Sequence, residues 1–329
     1  MRKLSQFNHT GRIMLNSIND KSSMSLNHEP RREYVNKKYN YFYGVMLELW
    51  EMVSKQNLNH KNKLLAMDFI LYSWSGWSTE RWNSINEIYD YFEKTGQEKL
   101  KIFILQSEKI IKKNELIPLQ SKSCLKFAFD DFNQPPDYII ELGGGVGHNL
   151  IRANQSFTSA IDAKNIHYIN AEINKAGRTL SSRLFEDMSI ETYSVLKFDY
   201  YEPFDLLQKL SKILKRNKKI HIFTLASIEQ ITFLDYNFFK MLKYIADVSS
   251  ELKITFCEPV TWQLKEMLDK PLYQHNLELS QKRAHNKNLW SLIQQAVADA
   301  AIGIKICKVS PSVFRSDKRL DLAGIQVTF

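Results

Sequence analysis

Residues 137–150, Asp-Tyr-Ile-Ile-Glu-Leu-Gly-Gly-Gly-Val-Gly-His-Asn-Leu, hold four of the chain's 11 glycines: Gly143, Gly144, Gly145 and Gly147. Tyr138–Leu142 is a near-continuous apolar run, the pattern of a strand covered on both faces. His148 onward, HNLIRANQSF, opens a helix, so the glycines form a strand-to-helix turn. Glycine there permits positive φ and lets a ligand approach the main chain.

Two ligand classes are excluded by the turn itself. A triphosphate loop needs Gly-x-x-x-x-Gly-Lys-Ser/Thr, and no Lys follows these glycines. A dinucleotide fingerprint needs Gly-x-Gly-x-x-Gly/Ala. Counted from Gly143 the last position is His148, and counted from Gly145 it is Leu150. What remains is a nucleoside without phosphate, held by turn backbone and acidic side chains.

Outward from the turn, Pro135-Pro136 ends whatever helix precedes it and marks a boundary. Beyond it strand-like and helical runs alternate through IHYINAE, KAGRTLSSRLFEDM, YSVLKFD, FDLLQKLSKILKR, KIHIFTLA, DYNFFKMLKYIADV and LKITFCE. Such alternation predicts βαβ units, a parallel sheet and helices on both faces. IGIKICKVS and LDLAGIQVTF close the chain as an antiparallel hairpin, because their connection is too short for a crossover. YQHNLELSQKRAHNKNLW between them and LKITFCE reads as a polar insertion. The expected fold is α/β, a doubly wound, mainly parallel seven-stranded sheet with an antiparallel terminal hairpin, preceded by an α-helical region.

The expected organisation is a flexible arm at 1–30, a helical lid or dimerisation region at 31–115 and the α/β domain at 116–329. In the helical region Tyr34, Tyr41, Val45, Leu49 and Val53 fall near one stripe, NSINEIYDYFEKTG and EKLKIFILQSEKIIKK repeat the pattern, and Trp74, Trp77 and Trp82 form a packing cluster. The net charge of +9 is spread along the chain and interleaved with acids, so a nucleic-acid partner is not expected. Cys124, Cys257 and Cys307 are too scattered for a disulfide framework or a zinc site and are expected as buried thiols. No signal peptide and no membrane span is read, so the expected location is the cytoplasm.

Glu141-Leu142-Gly143-Gly144-Gly145-Val146-Gly147 after a strand resembles the first motif of the class I S-adenosylmethionine-dependent methyltransferases, and the likeness runs from about residue 110 to the end. The resemblance implies S-adenosylmethionine as cofactor. It assigns Glu141 to ordering the glycine turn and the ligand's amino group, and Glu172, at the end of the second strand, to the two ribose hydroxyls. The 29 residues from Gly143 to Glu172 imply a long loop around FTSAIDAKN. Asp199, in KFDYYEP, matches the acceptor of the adenine amine, with Phe198 or Tyr200 stacking on the ring. His148 meets the methionine carboxylate end, and Ala226 is a further cofactor contact.

The acceptor is expected at the ends of the fourth and fifth strands. There Ser227-Ile-Glu229-Gln230 and Glu258-Pro-Val-Thr-Trp262-Gln263 bring two carboxylates and an indole together. Such a pair suits an amine or guanidine, clamped by Glu229 and Glu258 with Trp262 as a cation–π partner. The same acids would also suit a sugar-type hydroxyl, with one acting as base, and Glu258 has a purely capping alternative. His285 is the candidate base, Asn286 a pocket residue, and His167 and His221 are structural. No metal-ligand spacing is present. Protein or RNA acceptors rank below a small molecule.

Overall fold

The computed structural model of the chain describes residues 29–55, 58–74, 116–130, 135–157, 165–267, 269–283, 286–315 and 321–329. Residues 1–28 of the expected arm, the Trp77 and Trp82 positions, the two further helical runs between 83 and 113, residues 158–164 of the FTSAIDAKN loop and His285 lie outside the described residues. In chain order the elements begin with α1 (Glu29–Ser54), α2 (His60–Trp74), α3 (Leu116–Phe129), β1 (Tyr138–Leu142) and α4 (His148–Phe157). They continue with β2 (His167–Ala171), α5 (Lys175–Asp187), β3 (Tyr193–Leu196), α6 (Pro203–Leu210), β4 (Lys219–Leu225) and α7 (Asn237–Ala246). Last come β5 (Glu251–Glu258), α8 (Lys270–Arg283), α9 (Leu289–Ala298), β6 (Lys305–Phe314) and β7 (Leu322–Thr328).

Seven strands form one sheet in the order β3-β2-β1-β4-β5-β7-β6. β1 through β5 pair in parallel, and β7 runs antiparallel to both β5 and β6. The order reverses between β1 and β4, the place where an open parallel sheet leaves a crevice at its strand ends. The polar stretch 273–290 is helical over most of its length, in α8, and its last two residues open α9, whose Leu289, Leu292, Ile293 and Ala296 form an apolar face that joins the core.

The central strands are buried on both sides, and their alternating residues serve two cores. Ile140, Leu142, Ile222, Ile254 and Phe256 face α6, α7 and α9, whose Phe238 and Phe239 are fully buried. Burying each such side chain stabilises by roughly 1.5–3 kcal/mol relative to leaving it in water. Ile139, Tyr168 and Phe223 face the opposite way, toward α4, α5 and the N-terminal α1–α2 pair. Of the cysteines, Cys124 and Cys257 are buried, but Cys307 is exposed because β6 is the sheet's edge strand.

Among the described side chains of α1, one face turns toward the protein. Val53 is buried as expected, together with Met46 and Trp50, and Asn36, Tyr39 and Tyr43 continue the same face toward the cleft. The spacing 36, 39, 43, 46, 50, 53 keeps to steps of three and four and so stays on one side of the helix. The side chains of Tyr34, Tyr41, Val45 and Leu49 lie outside the description. Among the described residues no helix is long and apolar enough to cross a membrane.

Candidate active site

The glycine turn sits at the tip of β1, beside the point where the strand order reverses. Gly143 and Gly145 have φ of +68° and +54°, a region that side chains with a Cβ enter at a cost of about 1–2 kcal/mol. Their missing side chains make room chiefly for other parts of the protein. A Cβ at Gly143 would lie 2.6 Å from Ser227 Cβ and 3.3 Å from Tyr200 Cε2. At Gly145 it would lie 2.7 Å from Tyr43 Oη, and at Gly147 2.5 Å from Ser181 Oγ. The turn is therefore wedged between side chains from four other segments, with its open side facing a cleft.

That cleft encloses about 1010 Å³, part of it open to solvent. Glu141, Gly143, Gly145, His148, Glu172, Phe198, Asp199, Tyr200, Ala226, Ser227 and Gln230 line it, all of them positions singled out in the sequence. Gly147 does not; it packs away from the cleft against Ser181 and Phe185.

The acids at the tips of β1 and β2 are held differently. Glu172 accepts hydrogen bonds from the Gly145 amide (2.9 Å) and the Asn174 amide (2.8 Å), which locks the glycine turn to the start of α5. Burial raises its pKa against the opposing pull of those amides. Glu141 accepts one bond, from Asn149 Nδ2 at 2.7 Å, and its Oε2 is buried with no partner among the described residues. Burial pushes this carboxyl up to about 8, with Glu172's charge adding to the rise. Asp199 Oδ1 accepts the Tyr201 amide at 3.0 Å, a local turn that fixes the acid at the cleft wall. His148 is held neutral, its pKa lowered to about 3 by burial and by Arg152, and its Nδ1 has no partner among the described residues.

Tyr200 is pinned from below. Its hydroxyl lies 3.0 Å from Leu142 O and 2.8 Å from Ser227 Oγ, and its ring sits edge-on to Phe198 at 4.6 Å. Both rings belong to the core beneath the cleft.

The tips of β4 and β5 depart from expectation. Glu258 is fully buried and does not line the cleft. Its carboxylate accepts the Ser227 amide (3.2 Å) and the Glu229 amide (3.3 Å), so it ties down the short 3₁₀ turn Ile228–Gln230. Burial raises its pKa to about 7 while these donors lower it. Ala226 adopts φ +51°, and that left-handed residue turns the following amides onto Glu258. Glu229 stands one residue behind the wall, its carboxylate accepting from Gln230 Nε2 at 2.7 Å. Trp262 does not line the cleft either. Gln263 bonds Asn286 O and the Trp290 amide, while Asn286 Oδ1 accepts the Asn288 and Leu289 amides at the start of α9. Gln263 and Asn286 thus join β5 to α9 and have no contact with the cleft, because their polar atoms satisfy buried backbone there.

Other contributors come from outside the motifs. Asn170, in β2, donates to Gly145 O at 3.0 Å and to Ser181 Oγ at 2.9 Å, fixing the turn from behind. An Asn in the middle of the apolar run IHYINAE is a break in pattern that signals such a role. Asn36, Tyr39 and Tyr43 of α1 and Leu71 of α2 wall the cleft from above, and no local signal in the sequence marks them. Among the described residues no group of three or more His, Cys, Asp or Glu side chains is arranged to hold a metal ion.

No family model matches the chain, and no curated protein does. Among solved structures, an S-adenosylmethionine-dependent methyltransferase from Aquifex aeolicus is 13% identical, over 67% of this chain and 97% of that one, with a TM-score of 0.39. The plantazolicin methyltransferase BamL is 12% identical over 74% and 94% of the two chains, with a TM-score of 0.41. Geranyl diphosphate C-methyltransferase from Streptomyces coelicolor A3(2) is 11% identical over 63% and 75%, with a TM-score of 0.41. With β7 alone reversed in a sheet ordered β3-β2-β1-β4-β5-β7-β6, and a glycine turn opening the helix after β1, the chain has the expected doubly wound, mainly parallel seven-stranded sheet with an antiparallel terminal hairpin.

Proposed function

We propose that the chain transfers a methyl group from S-adenosylmethionine to a nitrogen of a small amine or guanidine. One observation carries the reading. The cleft is lined by three carboxylates, Glu141, Glu172 and Asp199, with no Lys or Arg among its described lining residues, in a protein of net charge +9. A basic protein that gathers its acids at one crevice favours a cationic ligand there and repels phosphodiesters and other polyanions.

S-adenosylmethionine, with a sulfonium and an ammonium against one carboxylate, fits that field. Glu141 Oε2, buried and without a partner among the described residues, suits the ammonium. Glu172 retains lone pairs for the ribose hydroxyls beyond its two amide bonds, Asp199 suits the adenine amine, and Phe198 offers a ring face. When bound, the cofactor supplies an activated methyl group, so the chain's work is positioning and desolvation. Ser227, packed against Gly143, and Gln230 line the cleft at the end of β4, with Glu229 behind them to favour a positively charged product.

The test is calorimetric titration with S-adenosylmethionine, followed by labelled methyl transfer across amines, guanidines and sugars. Binding with transfer to nitrogen is the expected result. No binding defeats the reading altogether, and transfer confined to sugar hydroxyls overturns the acceptor.

A further inference from the structure

We propose that the first half of α1 is a ligand-contacting flap, in which Tyr43 closes over the cofactor's ribose and Tyr39 meets the acceptor nitrogen. This deepens the methyl-transfer reading and rests on it.

Tyr43 occupies a slot made by two glycines 32 positions apart, Gly145 of the turn and Gly177 in the first turn of α5. A Cβ at Gly177 would lie 2.8 Å from Tyr43 Cδ2 and 3.2 Å from Glu172 Cγ. The phenol therefore spans the ground between the glycine turn and Glu172, where a nucleoside gripped by that acid must place its sugar. Tyr39 lies one helical turn earlier on the same face, with its ring 5.6 Å from that of Tyr43. Burial, then the charges of Glu229 and Glu172, raise the Tyr39 pKa, so its hydroxyl stays neutral and both donates and accepts. A cationic nitrogen beside this ring gains the face of a phenol as well as the nearby acid.

The two halves of α1 are built for different tasks. The second half is anchored: Met46, Trp50 and Val53 enter the core, and Trp50 Nε1 donates to Asp187 Oδ2 at 2.7 Å. Lys63 of α2 donates to Asp187 O at 3.1 Å, and Asp68 of α2 pairs with Arg152 of α4. The first half places Asn36, Tyr39 and Tyr43 over the cleft. Between the halves stands Gly44, where a side chain would meet nothing within 4 Å among the described residues. Packing does not demand a glycine there, and in a helix interior glycine weakens the backbone. It is suited to be the hinge that lets the flap rise for ligand entry.

The experiment measures S-adenosylmethionine binding by calorimetry and amide exchange over residues 36–43, on the full chain. The variants are Tyr43→Ala, Tyr43→Phe, Tyr39→Phe and Gly44→Ala, each checked for an unchanged thermal transition. With wild type, the cofactor is expected to slow exchange across 36–43. Tyr43→Ala is expected to weaken binding about tenfold, equal to about 1.4 kcal/mol, with Tyr43→Phe in between. Tyr39→Phe should bind the cofactor like wild type but raise the acceptor KM, and Gly44→Ala should slow cofactor association. Wild-type binding with no change in exchange, and with Tyr43→Ala as tight as wild type, overturns the flap while leaving the cofactor reading intact. A wild-type protein that does not bind overturns both. Should Tyr43→Ala fail to fold, Tyr43→Phe and the exchange data decide alone.

Discussion

Glu141 and Glu258 end neighbouring parts of one parallel sheet, both fully buried, both with carboxyls pushed up, to about 8 and about 7. Only Glu141 lines the cleft. Glu258 is met by two amides of the turn after β4, whereas Glu141 receives one side-chain amide and keeps an oxygen without a partner among the described residues. The same residue type near the ends of two parallel strands, Glu141 level with Thr255 and Glu258 three residues further on, is thus a fastening at one tip and a ligand candidate at the other. What differs is the backbone that follows each strand. The glycine turn after β1 aims the Gly145 amide at Glu172 and leaves Glu141 open; left-handed Ala226 after β4 curls the chain back onto Glu258.

The comparison breaks first on stability. Glu258→Ala leaves the Ser227 and Glu229 amides buried without their acceptor, at about 1–3 kcal/mol for each lost partner. Denaturant unfolding should show a loss on the order of 3 kcal/mol, and a loss below about 1 kcal/mol would mean that Glu258 is not the fastening. Gly145→Ala comes next, at about 2 kcal/mol, from positive φ and the collision with Tyr43 Oη. Its unfolding curve should move while Gly44→Ala does not lose stability. Glu141→Gln should behave in the opposite sense to Glu258: cofactor affinity falls about tenfold, or about 1.4 kcal/mol. Its stability should be preserved, since below about pH 8 the buried carboxyl is protonated and Gln replaces it with a neutral group of similar size that can still accept from Asn149. Equal losses of fold and affinity would erase the distinction between the two acids.

The smallest effect is on pH dependence. The folded chain holds protons on Glu141 and Glu258 above their ordinary 4.5, so between about 4.5 and 8 these acids make stability fall as pH rises. His148 and His221, lowered from 6.5 to about 3, make stability rise with pH between about 3 and 6.5. The opposing slopes overlap between about 4.5 and 6.5. The melting temperature is therefore expected to climb below pH 4.5 and decline from about 6.5 to 8, and Glu141→Gln should flatten the decline above pH 7. A decline identical in that variant would remove Glu141 as its source.

Much of the fold is legible along the chain because each strand and helix of the α/β domain carries its own period. IIE, HYINA, KIHIFTL and LKITFCE are apolar enough to be strands wherever they lie, and the hairpin at the end follows from connection length. α9 is missed because its apolar residues, Leu289, Leu292, Ile293 and Ala296, stand behind a polar stretch that hides their spacing. The acids that line the cleft are legible because Glu141, Glu172 and Asp199 each stand at or within three residues of a strand's end, and the parallel strands of one sheet bring those ends together. Glu258 satisfies the same rule yet faces inward, and Gln263 and Asn286, polar and near a strand end, turn out to hold α9 in place.

What the linear chain determined alone is the layered α/β plan, the glycine turn and the acids that ring it, since these depend on neighbours a few residues apart. What only tertiary structure decided is which acids face the cleft and that Tyr39 and Tyr43 stand over it. Those outcomes rest on contacts such as Gly145 with Tyr43, 102 positions apart, and Glu258 with Ser227, 31 apart. A side chain's partner across such a separation is set by how whole elements pack, and local periodicity carries no record of it.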